Sequence, residues 1–370
     1  MKPTFDYSSV FKIGSHGLVS LVVSGFIANV AVAAPASNAL PTGGAVVSGN
    51  VNIATNASTM NINQASSKSV INWNTYNIGS AATVNYNFAQ SGSSSLNRVL
   101  SNNPSEIYGR LNANGKVILV NPNGIVFGSG SSVNVGSLVA TTMNIKDADY
   151  LNDKLVFTRD GSIGKVLNEG TITAEDKGYI ALLAPEVVNK GVIKAVMGSV
   201  SMAAGEKIEL TLDNSGLKTV MLEPSTVKTL IDNKALIEAK GGVVYLGAKE
   251  ANAILDTVMN LKNSGIVEAT AMNNTNGKII LDGDNIEVDG TLKATDIYAG
   301  NKNNAKTLVK ATATLEGEFV ETSGKTLKVE DGVKIKAKNW LIDPVDFTIA
   351  ASGGDISGAT LSSNLNSGSV

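Results

Sequence analysis

Cysteine is absent from the 370 residues, and the single histidine stands at position 16. Without thiols the chain forms no disulfide, so its stability must come from packing and hydrogen-bonded ladders. A chain free of crosslinks also suits passage through a membrane pore unfolded. His16 lies in a stretch read below as a removable leader. The mature chain therefore has no Ser–His or Cys–His nucleophile pair and no metal site built on histidine or cysteine. No enzyme activity and no cofactor is predicted. Aromatic residues make up only 5% and charged residues 17%, with a net charge of −2. No basic field marks the chain for nucleic acid or an anionic membrane surface. A core short of large rings but rich in Val, Ile, Leu and Ala fills thin stacked layers better than a wide globular interior.

What the chain does have is glycine, 37 residues of it, together with abundant asparagine, the two residue types that supply left-handed backbone at tight corners. Residues 105–145 are the densest stretch. Alternating Val117 and Leu119 run into Asn121-Pro122-Asn123-Gly124, and a second apolar strand begins at Ile125. Asn first, Pro second and Gly fourth are the preferences of a type I β-turn: proline presets φ, and the asparagine side chain folds back on its own backbone.

From Asn168 an internal repeat appears. NEGTITA (168–174), NKGVIKA (189–195) and NSGIVEA (263–269) share Asn-x-Gly, alternating apolar positions and a closing Ala. NKALIEA (233–239) and VDGTLKA (288–294) are weaker copies. Period-2 alternation turns Ile172, Ala174, Val200 and Met202 inward, as in half-buried strands. A 21-residue spacing between the first two copies accommodates one coil of two or three strands. Stacked about 4.8 Å apart, such coils would number about 15 in a rod about 75 Å long. The predicted fold is all-β: a right-handed parallel β-helix, or β-solenoid, with an N-terminal cap and short extra-helical hairpins. Hairpins are expected over the open end, where unpaired strand edges invite aggregation. Trp73, Tyr76, Tyr86, Phe88 and Phe127 are expected to thicken the core of the cap region. Ser225–Leu236 reads as a turn or two of helix or as an irregular insertion.

The run GRLNANGKVILVNPNGIVFGSGSSVNVGSLVATTMNI resembles the secretion domain of two-partner-secretion exoproteins, the filamentous haemagglutinin and high-molecular-weight adhesin family. LPTGGAVVSGNVNI (40–53), INWNTYNIG (71–79) and LNRVL (96–100) support the resemblance upstream. It implies a domain recognised by the periplasmic domains of a cognate outer-membrane β-barrel transporter, nucleating β-helix folding outside the cell. It also implies prior export by the general secretory machinery, an extracellular or cell-surface location, and a host or bacterial surface ligand for an adhesin-like product. The turn Asn121, Pro122, Asn123, Gly124 with Ile125 is the expected recognition element, and Asn103-Pro104 is the candidate for the second Asn-Pro motif that relatives carry. Substituting Asn121 or Asn123 by Ala is expected to impair secretion more than stability.

The first 36 residues read as a signal peptide: Lys2 and Lys12, an apolar stretch Gly17–Ala34, and small-x-small cleavage signals ending at Ala33 and at Ala36. Residues 37–150 read as cap and core of the secretion domain, 151–338 as β-helix repeats, and 339–370 as the start of downstream adhesin-like repeats without a closing cap. Asp282, Asp284, Glu287 and Asp289 form an acidic group, read as a solvated corner with a weak calcium site as the alternative. Asn56, Asn61, Asn72 and the run 273–276 either carry glycans or, the preferred reading, build asparagine ladders. Two other functions remain open: the front end of a contact-dependent growth-inhibition toxin, and a polysaccharide-degrading β-helix. The second needs paired carboxylates in a groove, usually aided by His and Arg. The chain has three arginines, Arg98, Arg110 and Arg159.

Overall fold

The computed structural model describes residues 34–365 apart from 91, 214–215, 252–257, 302 and 305. Most of the expected leader, including Ala33, lies outside them. The described chain winds as coils of three short strands, each strand pairing in parallel with its equivalent in the next coil. One face is a nine-stranded ladder from Ser105–Ile107 through Lys165–Asn168, Glu186–Asn189 and Leu230–Asn233 to Thr326–Val329. A second face runs from Thr59–Gln64 through Thr171–Ala174 and Val192–Lys194 to the first half of Lys334–Pro344. The third, called the flank below, runs from Lys68–Trp73 through Tyr179–Leu183 and Ser199–Ala204 to the second half of that same strand. Inward residues of all three faces, among them Ile172, Ala174, Val200 and Met202, merge into one apolar core.

The coils are fewer than the 21-residue spacing suggests, because the chain leaves the stack in long excursions. One carries the helix Asp147–Leu151 and the strand Leu155–Thr158; another is the hairpin Lys207–Asp213 with Gly216–Glu223. These three strands form a separate antiparallel sheet. It lies on the flank and not over the open end as expected. The register explains the placement. Val70, Leu96, Ile118, Val139 and Ala181 are successive outward positions of the flank. A row of outward apolar side chains needs a cover, and Phe157, Ile208, Leu210 and Leu217 supply it. The N-terminal end is closed differently: Ala45–Ser48 and Val51–Asn56 pair antiparallel with Lys68–Trp73 and Thr59–Gln64. Reversing direction ends the parallel ladder with two short, largely exposed strands. The five expected rings are all buried here, with Trp73 Nε1 and the Tyr86 hydroxyl both donating to Asn97 Oδ1 (2.9 and 2.8 Å).

Ser225–Leu236 is not helical. Leu230–Asn233 is a strand in register with Glu186–Asn189, because Ile231 is needed inside and Asn233 in the column described next. At the other end Asn339–Pro344 completes the last strand. Where the sequence suggested no cap, residues 348–365 fold back over the final coil. Asn364 plays the part of a neighbouring strand there: its Oδ1 accepts from the Ile335 N–H (2.7 Å). Asp331 holds the start of the helix Gly358–Leu365 through Ser357 Oγ and Thr360 Oγ1 (2.5 and 2.6 Å).

The Asn-x-Gly repeat has a structural cause. Asn168, Asn189, Asn233 and Asn263 are buried in one column, each Nδ2 donating to the next Oδ1 at 2.8 Å. Asn168 and Asn189 also accept from the N–H two residues on, at Gly170 and Gly191. Gly191 lies so close to the coil below that a Cβ would sit 2.1 Å from the Gly170 carbonyl oxygen. The next position in register is Val288, where the column ends. A second, more exposed ladder joins Asn61, Asn85 and Asn112 at 3.0 Å.

Two outcomes follow from this arrangement. Asn189→Ala strands an amide on either side and should cost about 3 kcal/mol in urea unfolding, against under about 1 kcal/mol for Asn85→Ala. Equal costs would show that the buried column does not support the coil. Hydrogen bonds from Ser357 and Thr360 hold the Asp331 carboxyl below its ordinary range. A depressed carboxyl stabilises above its unfolded pKa and loses that contribution as pH falls through the folded one. The protection factors of amides over 357–365 should accordingly fall on acidification below about pH 4 in the wild type, and that fall should be absent in Asp331→Asn.

Candidate functional site

The predicted turn is present, and it is a corner between the strands Arg110–Val120 and Ile125–Phe127. The Gly124 N–H donates to the Asn121 carbonyl (3.1 Å), closing the turn. The Asn123 N–H donates to Asn121 Oδ1 (3.0 Å), the back-folding that asparagine favours at this position. Gly124 takes φ +120°, a conformation that side chains other than glycine's rarely adopt. Ile125 is buried in the core.

The corner is held from both neighbouring coils. Asn121 is wholly buried, and its Nδ2 donates to the Asn103 carbonyl and to Ser105 Oγ, both at 3.0 Å. Asn123 Nδ2 donates to the Ser101 carbonyl (2.9 Å), and the Ser105 N–H donates to the Gly124 carbonyl (3.0 Å). From the far side Ser162 Oγ donates to the Pro122 carbonyl (2.7 Å). Gly164 packs against that same carbonyl, 2.5 Å from where a Cβ would stand. The structure thus brings the two Asn-Pro pairs together: the turn containing Asn103 and Pro104 is the corner beneath Asn121–Gly124. Ser101, Ser105, Ser162 and Gly164 were not singled out in the sequence. Ser105 was within reach, directly after Asn103-Pro104. Ser162 and Gly164 were not, because the helix-bearing excursion separates them from the preceding coil.

Asn121 and Asn123 have different tasks. Every polar group of the Asn121 side chain is used inside the protein, whereas Pro122 and Asn123 are exposed. Around them the sequence carries no ionisable side chain from Val117 to Ile145. The turn itself is uncharged and rigidly held, with Lys165 of the next coil stacked beside Gly124.

The acidic group does not assemble. Asp282 accepts from the Tyr245 hydroxyl (2.8 Å) and pairs with Lys249 (2.7 Å), while Asp284 accepts from the Glu250 N–H (2.6 Å). Burial holds the Asp284 carboxyl above its ordinary range. Glu287 lies on another strand, and Asp289 bonds Thr312 at a corner. Among the described residues no three His, Cys, Asp or Glu side chains converge as metal ligands.

A capped stack of parallel three-strand coils, with a cross-braced Asn-Pro corner near its N-terminal end, is the architecture of a β-helix domain. The family model described as the TPS secretion domain matches residues 37–294, and the chain belongs to that family. It is the secretion domain of a two-partner-secretion exoprotein, a class exported across the outer membrane to the cell surface or beyond, with a cognate outer-membrane transporter as partner. Two curated relatives from Haemophilus influenzae, both named heme/hemopexin-binding protein, are 35% identical over 262 residues and 34% identical over 312. The matches cover 68% and 77% of this chain but only 28% and 30% of those proteins. The crystal structure of the HMW1 secretion domain from Haemophilus influenzae superposes with a TM-score of 0.68 at 24% identity, covering 82% of this chain and all of that one. It has the same fold.

The geometry separates the two asparagines in a measurable way. Asn121→Ala should lower unfolding stability by about 2 kcal/mol, by stranding buried partners. Asn123→Ala should stay within about 0.5 kcal/mol of wild type, as exposed positions do. Chemical denaturation of both variants checks this; comparable losses would contradict the division of labour.

Proposed function

We propose that the exposed tip of the corner, Pro122 with Asn123, is the feature that the transporter's periplasmic domains read, and that Asn121, Gly124, Ile125, Asn103 and Pro104 hold it in shape. The observation that carries this reading is the contrast inside one turn: a fully committed Asn121 beside an exposed Pro122-Asn123. The leader ends at Ala33 or Ala36, and the general secretory machinery delivers the chain to the periplasm. Outside the cell each emerging coil pairs with the previous one, and the burial and ladder bonds gained oppose backsliding without nucleotide.

The whole product is read as an adhesin-like exoprotein with a host or bacterial surface ligand. A second reading is favoured by the names of the two relatives: haem or hemopexin capture by the full-length protein. No histidine or cysteine occurs after His16, so iron ligation of those kinds would fall to the part of the product that this segment does not span.

In cells expressing the cognate transporter, Pro122→Ala/Asn123→Asp should cut secreted yield about tenfold or more while the purified domain unfolds as wild type does. Binding to the isolated periplasmic domains should fall in parallel. Undiminished secretion and binding by this folded double variant would remove the recognition role from the tip.

A further inference from the structure

The cover does not seal against the flank everywhere. Between them lies a cavity of about 490 Å³, with Lys116, Ile118 and Tyr179 on the flank side and Tyr150, Lys154 and Leu210 on the other. Lys68, Ser94, Lys116 and Ser137 are successive positions in one register column, and Tyr179 follows, its N–H donating to Ser137 Oγ (3.1 Å). Several lining groups are committed. Lys68 is held by Asp153 (2.8 Å) and by the Leu151 carbonyl (2.7 Å), and the Tyr150 hydroxyl shares a 2.8 Å hydrogen bond with Ser94 Oγ.

Three groups are left over. Tyr179 is only 3% exposed, yet its hydroxyl has no hydrogen-bond partner among the described residues and lies at the cavity wall. Lys116 and Lys154 have no carboxylate within ion-pair distance among the described residues, and Glu209 is the one lining carboxylate besides Asp153. Burial pushes the Tyr179 phenol up and holds Tyr150 at about 12, so both remain protonated donors at physiological pH. The Tyr179 hydroxyl opens onto the cavity with its donor uncommitted to the protein, so an acceptor on a ligand can take the place of solvent there. The remaining walls are apolar, from Ile118, Leu155, Leu210 and Leu212.

We propose that this cavity binds a small amphipathic organic anion, a carboxylate or a phosphate ester. Its head group sits between Lys116, Lys154 and the Tyr179 hydroxyl, and its apolar body lies against Ile118 and Leu210. The volume falls within the range of small-molecule sites, and apolar walls with a few convergent polar groups are their usual composition. The ligand would also bridge the body and the cover, adding to the ties that Lys68–Asp153 and Tyr150–Ser94 already make there.

Titration calorimetry of the mature chain with octyl phosphate, octanoate and octanol tests the assignment. At least one anion should bind about tenfold or more tighter than octanol, and the stronger of the two identifies the head group. Lys116→Met should weaken that anion about tenfold. Tyr179→Phe should weaken it too while leaving the thermal midpoint of the unliganded protein in place, because the hydroxyl has no protein partner to lose. Met221→Ser, on the hairpin's exposed face, should bind as wild type does. Absence of binding by both anions, equal affinity for octanol, or full affinity in Lys116→Met would overturn the proposal.

Discussion

Each coil must bring its chain back to hydrogen-bonding distance of the coil before, about 4.8 Å away, and it must do so at three corners. Strands manage this through their ladders; corners have no ladder of their own. The constraint on this molecule is therefore how a corner is tied to the one beneath it. Asparagine meets it twice over: the side-chain oxygen closes the local turn, and the side-chain nitrogen reaches the coil alongside. Asn168 and Asn189 do both, Asn233 carries the inter-coil bond on to Asn263, and Asn121 closes its turn while reaching Asn103 and Ser105. Since these amides are buried, losing one strands its partners, which makes register expensive to change.

From that dependence the rest of the domain follows. A stack with fixed register has two ends and an outer surface to manage. The N-terminal end reverses strand direction, and the far coil meets a side-chain amide from Asn364 in place of another strand. The flank carries outward apolar residues, so an excursion from the chain covers it. The Asn121–Gly124 corner lies among the early coils and is braced from both sides. Within that one turn a fully buried Asn121 stands beside the exposed Pro122 and Asn123.

Much of this was legible in the sequence, for identifiable reasons. The period-2 alternation and the Asn-x-Gly repeat report the register directly, because each repeated Asn and Gly occupies a place where the neighbouring coil leaves no choice. Asn121-Pro122-Asn123-Gly124 announced its turn through local chemistry alone. The failures are equally physical. Ser225–Leu236 read as a short helix or an irregular insertion because its strand is short and its demand for Ile231 and Asn233 comes from a coil 44 residues upstream. The hairpin cover was misplaced because outward apolar positions on the flank alternate with inward ones and read as an ordinary buried strand. Ser162 and Gly164 reach the corner only by stacking, across an excursion whose length no local pattern encodes. Asp282, Asp284, Glu287 and Asp289 looked like a cluster because they are close in sequence; Lys249 neutralises the first two, and the others lie on a different strand and at a corner.

The central claim is that inter-coil register, rather than local strand preference, determines whether this chain folds. Asn285 and Lys306 are equivalent positions one coil apart, 21 residues along the chain. Excising residues 286–306 therefore removes one coil and keeps every following side chain on its own face, whereas excising 286–307 turns the joined strand inside out. Thermal unfolding of the two deletions is the most direct comparison. A single cooperative transition for the first and its loss for the second is the predicted result; equal stability of the two, or collapse of the first alone, would contradict the account.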